Sequence, residues 1–375
     1  MAAKDQEFLA DVIALSCLRG TSTQILTTLL DKDISPTRFL AMTPSQQGAA
    51  LGLTQIPVWD ENDLREAKAI GKREAEFCNR HRIRVISPFF NNFPRRLAIL
   101  DNAPTLLYML GEADLDALHV IGIVGTRKIT AAGLRFTQSL VKDLGTLVNQ
   151  PLVVSGLAYG TDAAAHTAAL DNNLPTLGVL AHGLSMIYPA AHRQLAEKII
   201  AAGGGLLTQY HSIDKPFRGH FLERNRIIAA LSDGVLVVES AIKGGAMNTA
   251  HAAFDFDRAV MAVPGRPSDP MSEGCNHLIR KQIAMLTTDA RQACDAMGWE
   301  TNDAVEKENS PVLFREPEAD LLPVYNVIQQ SEVPVGIDEL TLRCRISPSQ
   351  IAAKLFALEE EGFVTRLPNN RYTLS

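Results

Sequence analysis

Between residues 7 and about 80 the apolar positions recur at helical spacing: Phe8, Leu9, Val12, Ile13 and Leu15, then Ile25, Leu26, Leu29 and Leu30. Residues three and four apart share one face of a helix, so the pattern predicts a run of short amphipathic helices. Arg19-Gly20-Thr21, Ser35-Pro36 and Thr43-Pro44 mark the turns, with Ser and Thr hydroxyls placed to cap the helices that follow. A strongly charged helix over 62–81 closes this segment, and its mixture of Lys, Arg and Glu reads as a solvated face. From about 85 to 298 the pattern changes. Seven short β-rich runs (119–124, 152–155, 176–180, 205–208, 234–239, 259–263 and 284–287) alternate with helical stretches such as 131–144, 162–171, 192–202 and 248–256. Strands that are apolar along their whole length belong in a parallel sheet covered by helices on both faces, so the expected fold class is α/β, doubly wound. Right-handed crossovers then gather the loops after the strands along one edge, where such folds bind ligands.

The rest of the chain is of two kinds. Residues 300–318 are polar, Pro-containing and aperiodic, which reads as a linker. From 320 to 375 three helical patterns, the second over 337–342 and the third begun by Ser347-Pro348-Ser349, precede two short β runs at 362–365 and 371–374. Helix, turn, helix and a terminal hairpin predict a winged-helix module. The expected domains are therefore 1–82 (helical), 83–298 (α/β), 299–319 (linker) and 320–375 (winged helix).

A chain of 375 residues with 46% hydrophobic and 21% charged residues is ordinary globular protein, which excludes disordered, collagenous and coiled-coil readings. Its 36 Lys and Arg against 42 Asp and Glu leave a net charge of −6. A protein that coats nucleic acid over its whole surface would be basic, so any such role here needs a local patch. The five cysteines, Cys17, Cys78, Cys275, Cys294 and Cys344, are scattered without a CxxC pair. That pattern predicts reduced thiols in a cytoplasmic protein and no structural zinc. The N-terminus has no signal-peptide core, and no apolar run approaches the roughly 20 residues that span a bilayer, so no membrane association is expected.

Candidate chemistry concentrates in four strand-to-helix loops. The first, Gly125-Thr126-Arg127-Lys128, sets backbone N–H groups and a cation before a helix N-terminus, an arrangement suited to an anion and equally compatible with a tight turn. It is neither the G-x-G-x-x-G fingerprint nor a Walker loop. In the second, Gly156 and Gly160 permit close backbone approach, Thr161 or Asp162 is placed to cap the next helix, and His166 one turn in reads as structural. The third, Arg224-Asn225-Arg226, puts two cations at a helix start, where the helix dipole disfavours them unless an anion or a carboxylate such as Glu239 compensates. The fourth sets Glu239 at the end of a buried strand beside Gly244-Gly245 and Thr249. Four such loops on one sheet edge point to an anion site, with phosphate the natural ligand. Cys275 with His277 two residues on is too sparse for a catalytic dyad.

The runs VGTRKITAAG, SGLAYGTDAAAHTAAL, GLSMIYPAAHRQL, FLERNRIIAALSDGVLVVESAIKGGAMNTA and AVPGRPSDPMSEGCNHLIR resemble, in order, the DNA-processing protein A (DprA/Smf) family. The resemblance covers about 119–285, and the flanking helical and winged-helix segments resemble that family's accessory domains, the first of the SAM or helix-hairpin-helix kind. It implies an extended Rossmann-like core that binds single-stranded DNA, forms a homodimer and loads the RecA recombinase during natural transformation, without catalysis or a cofactor. By motif it assigns strand contact to Gly125, Thr126, Arg127, Arg224, Asn225 and Arg226, and pocket shaping to Gly156, Gly160, Gly245 and Thr249. Glu239 would hold an arginine or accept from a base edge. Leu278, Ile279, Ile283 and Met285 offer an apolar dimer patch or ordinary core. The enzyme alternative is a nucleotide or phosphoribosyl hydrolase on a similar sheet, but the glutamate such enzymes carry after a Gly-Gly-x-Gly-Thr loop is missing from 244–251. The last 56 residues hold five Lys or Arg against seven acids, and the third helix ends in Glu359-Glu360-Glu361. That charge favours protein contact over duplex DNA for the winged helix.

Overall fold

The computed structural model describes residues 3–52, 59–100, 102–302, 317–331, 334–367 and 371–374. The chain divides into two compact units, Met1–Val305 and Glu306–Ser375. The greater part of the expected linker lies outside the described residues.

In the first unit nine strands form one sheet: β1 (Arg84–Ile86), β2 (Leu107–Gly111), β3 (Val120–Val124), β4 (Leu152–Ser155), β5 (Thr176–Val179), β6 (Gly205–Thr208), β7 (Gly234–Val237), β8 (Ala259–Ala262) and β9 (Met285–Leu286). Their order is β1-β2-β6-β5-β4-β3-β7-β8-β9. The seven strands from β3 onward are parallel and coincide with the seven apolar runs read from the sequence. Beyond β6 the sheet continues with the antiparallel pair β2 and β1, which the periodicity does not reveal. β1 is three residues long, too short for an alternating pattern to register.

Alternation along β3 divides the core. Ile121 and Ile123 meet the helices Ala131–Leu147, Thr161–Asp171 and Ala290–Met297 on one face. Val120 and Val124 meet Arg218–Leu231, Gly245–Asp255 and Glu273–Arg280 on the other. From β3 the chain steps outward to β6, then returns to β7 on the other side of β3. The connections leaving β3 and β7 therefore diverge, and a crevice opens at their carboxyl ends.

Five helices precede the sheet: Ala3–Cys17, Thr23–Asp31, Pro36–Leu40, Pro44–Leu51 and Glu61–His81. The side chains of Ser22, Ser35, Thr43 and Asp60 cap the last four by accepting backbone N–H bonds. The charged helix Glu61–His81 is solvated on one face only. Its other face buries Ala67, Gly71, Glu74, Ala75 and Cys78. Gly71 is needed there, because a Cβ would collide with the Ala10 carbonyl of the facing helix. These helices lie over β1 and β2 through Leu9, Val12, Ile13, Val85 and Tyr108.

The second unit holds the helices Leu322–Gln329, Ile337–Cys344 and Pro348–Glu360 beside a three-stranded sheet of β10 (Val335–Gly336), β12 (Arg371–Leu374) and β11 (Val364–Leu367). Val324, Leu340, Ile351, Leu355 and Tyr372 form its core, and this is a winged helix. No helix among the described residues is long and apolar enough to cross a membrane. The five cysteines are free thiols.

Candidate functional site

Arg224 is the centre of the crevice. It lies on the helix Arg218–Leu231 and is buried, with Nη1 3.8 Å from the Asp162 carboxylate and 3.4 Å from the Val179 carbonyl oxygen. The guanidinium crosses directly over Gly156, where any Cβ would collide with Nη1. The glycine of the second loop is thus required by an arginine that arrives nearly seventy residues later. Asp162 also accepts the backbone N–H groups of Gly156 and Ala158, both at 3.2 Å. The Arg224 Nε is buried and finds no partner among the described residues. Burial lowers the Arg224 pKa from its ordinary value, Asp162 opposing, and burial raises that of Asp162, Arg224 opposing. Each charge is therefore incompletely compensated by the other.

Phe221, one turn before Arg224, brings in a second cation. The exposed Arg127 guanidinium lies 5.5 Å from its ring centroid and that of Arg224 lies 5.9 Å away. Two arginines thus lie within cation–π range of one aromatic ring. The cavity beside them has a volume of about 290 Å³ and is lined in part by Gly125, Thr126, Arg127, Arg224, Asn225, Gly245 and Thr249. The Asn225 side chain donates to the Gly245 carbonyl at 3.2 Å and ties two of the loops together. Gly156 lines an adjoining aromatic slot made by Tyr159, Tyr188 and Phe221. A shallow outer shelf follows, with Lys215, Phe217 and Arg218. Arg127 and Phe221 line all three spaces, which makes them one groove across the carboxyl edge of the sheet. Gly160 sits behind it, at the start of the helix Thr161–Asp171.

Two expected residues lie elsewhere. Glu239 holds no arginine. Its carboxylate accepts the Thr130 N–H at 3.0 Å and the Thr130 hydroxyl, at the N-terminus of the helix Ala131–Leu147, where the helix dipole stabilises it. Its carbonyl accepts the Thr126 N–H at 2.7 Å, so Glu239 shapes the first loop from behind. Arg226 faces away from the groove: its guanidinium lies 5.0 Å from the Phe256 ring centroid, in a separate cavity with Glu223 and Ile227. Residues two apart on a helix project about 200° apart, so Arg224 and Arg226 leave opposite sides of this helix. Of the expected dimer patch, Leu278 is buried in the core, Ile279 and Ile283 are half-buried against it, and Met285 is exposed on the edge strand β9.

His166 is buried, with Nδ1 2.6 Å from the Thr176 hydroxyl, which itself donates to the Val153 carbonyl. Burial, with His192 and Arg224 adding, takes its pKa down to about 3, so the ring is neutral and joins its helix to β5. Burial pushes the Cys275 thiol up to about 12, which makes it an inert core group. Sequence reasoning misses Phe221, Tyr159, Tyr188, Lys215, Phe217 and Arg218, and misses Asp162 as the partner of Arg224. The available signal is aromatic residues beside cations or glycines, as in Lys215-Pro216-Phe217-Arg218 and Tyr159-Gly160.

A doubly wound α/β domain with a cationic, aromatic groove at its topological switch point, accompanied by a winged helix, defines a Rossmann-type α/β protein. The chain belongs to the DNA recombination-mediator protein A family, whose model matches residues 84–298, with the DprA winged-helix domain matched over 311–370. It is 33% identical to Protein Smf of Synechocystis over 346 residues, 81% of this chain and 85% of that protein. The X-ray structure of DNA processing protein A from Streptococcus pneumoniae aligns with TM-score 0.63 and 27% identity, over 77% of this chain and 97% of that one. A structure of the Helicobacter pylori protein, described for its single-stranded DNA binding mode, aligns with TM-score 0.51 and 29% identity, over 57% and 95% of the two chains.

Proposed function

We propose that the groove binds single-stranded DNA and that the protein is a non-enzymatic recombination mediator. The observation that carries this reading is the pair Arg127 and Arg224 around Phe221, with the buried Arg224 short of partners. Arginines supply phosphate contacts, and Tyr159, Tyr188 and Phe221 offer faces on which bases of any sequence stack. The single-stranded DNA binding described for the H. pylori relative supports the same ligand. In the cell the bound strand would be incoming DNA, protected in the cytoplasm and passed to RecA during natural transformation. The protein acts as a homodimer, in which the half-exposed Met285 and Leu286 of the edge strand β9 supply the contact, with Ile279 and Ile283 beneath. The winged helix serves a protein partner: Leu342 and Phe356 expose apolar side chains on its helices, 79% and 64% accessible. The nucleotide or phosphoribosyl hydrolase alternative would use a carboxylate to activate water. Asp162, the one carboxylate among the cavity-lining residues, is already engaged by two backbone N–H groups and Arg224.

Fluorescence anisotropy with labelled poly-dT at two salt concentrations tests this. Wild-type affinity should fall steeply with salt, and Arg127→Ala should reduce the log–log salt slope by about one. Phe221→Ala should weaken binding roughly 5- to 100-fold, the loss of one stacking platform. A wild-type protein that does not bind the oligonucleotide would overturn the reading and direct attention to nucleotide hydrolysis.

A further inference from the structure

The helical layer that precedes the sheet holds a groove-bearing connection with a buried carboxylate. Glu74, on the inner face of Glu61–His81, is fully buried, and its carboxylate accepts both the backbone N–H of Ser212 at 2.7 Å and the Ser212 hydroxyl at 2.8 Å. Ser212 belongs to the connection between β6 and the helix Arg218–Leu231. Its far half, Lys215 to Arg218, carries the two cations and the phenylalanine of the outer shelf. The same connection is bound to a second groove loop: the Gly183 N–H donates to the Asp214 carbonyl at 2.9 Å, and the Ser185 hydroxyl donates to that of Ser212. That second loop carries Met186 and Tyr188 of the groove. The His211 ring of the same connection lies between the sheet and the helical layer, with Nδ1 2.9 Å from the Tyr108 hydroxyl of β2 and Nε2 3.3 Å from the Cys17 Sγ. A connection whose backbone is anchored from outside its own fold layer has its position set by that anchor.

We infer that Glu74 is a positioning residue for nucleic-acid binding, through which the N-terminal helical layer sets the outer wall of the groove. Glu74 does not line the groove. It fixes Ser212, Ser212 fixes the two connections, and these present Lys215, Phe217, Arg218 and Tyr188. Strand binding and the seating of the helical layer are then coupled, and coupling of this kind is reciprocal. The inference rests on the groove being the DNA site, and its test separates the two claims.

Glu74→Gln keeps the shape and removes the charge. It should weaken poly-dT binding about threefold to tenfold, speed hydrogen exchange at the Ser212 amide, and hasten tryptic cleavage after Arg218. Phe39→Leu serves as control. Phe39 is buried in the helical core against Trp59, so this variant loses stability without touching the anchor. It should leave affinity, exchange and cleavage as in wild type. In a Lys215→Ala/Arg218→Ala background Glu74→Gln should add little further loss, because its effect runs through those side chains. The inference is overturned if Glu74→Gln lowers stability as Phe39→Leu does yet leaves affinity, exchange and cleavage unchanged. Failure of the wild type to bind poly-dT would instead defeat the DNA reading, while exchange and cleavage would still report on the anchor.

Discussion

The two ends of the parallel sheet use the same residue types to opposite purpose. At the amino end, Asp233 accepts Arg96 Nε at 2.8 Å, the Val120 N–H at 2.9 Å and the Trp299 indole N–H at 3.2 Å. That carboxylate is saturated by its own chain, and the cluster joins β3, β7 and the segment after the last helix of the domain. At the carboxyl end, Arg224 reaches Asp162 only at 3.8 Å, and its Nε finds no partner among the described residues. Exposed Arg127, Lys215 and Arg218 lie nearby, while the one carboxylate lining the cavity, Asp162, is taken up by Arg224 and two backbone N–H groups. A closed polar cluster contributes to stability; an open one holds interaction capacity for a ligand.

The largest expected effect breaks the closed end. Asp233→Ala leaves the Arg96 Nε, the Val120 N–H and the Trp299 indole without this acceptor and should cost about 3 kcal/mol in urea unfolding, with poly-dT affinity per folded molecule unchanged. A large affinity loss there would erase the contrast between the two ends. An intermediate effect concerns His166, buried beneath the groove. An unfolded-chain histidine takes up a proton near pH 6.5, whereas His166 in the fold resists until about 3. The unfolded state therefore binds the extra proton, and stability falls as pH drops from about 6.5 towards 3, by at most ~1.4 kcal/mol per unit from this group. Thermal melts of His166→Gln across that range should show a shallower acid limb than wild type. The smallest effect sharpens the boundary of the open end: Arg226→Ala should change poly-dT affinity less than about twofold, against roughly tenfold for Arg127→Ala, since a phosphate contact is lost only in the second. Equal losses would extend the groove around the helix to the Phe256 side.

The parallel strands β3 to β8 are legible because each is mostly apolar and bounded by glycine or polar turns, a pattern that burial on both faces demands. Ser35 and Thr43 are legible as caps because capping is decided within three residues. The loops at Gly125, Gly156 and Gly245 are legible as a shared site because parallel connectivity forces them to one edge. Glu239 misleads because a carboxylate ending a strand looks the same whether it meets an arginine or a helix N-terminus, and Thr130 lies over a hundred residues away. Glu74 is hidden for a different reason. Within a helix dense in charge nothing marks the one glutamate that faces inward to Ser212, 138 positions on.

Periodicity, glycine placement and connectivity alone thus determined the α/β core, the winged helix and the edge where chemistry gathers, because these depend on local burial and chain direction. Which arginine enters the groove, which carboxylate holds it and which aromatic lies beside it were decided only in three dimensions. Helical phase turns Arg224 inward and Arg226 away, and the pairing of Arg224 with Asp162 and of Glu74 with Ser212 depends on distances that sequence separation does not encode.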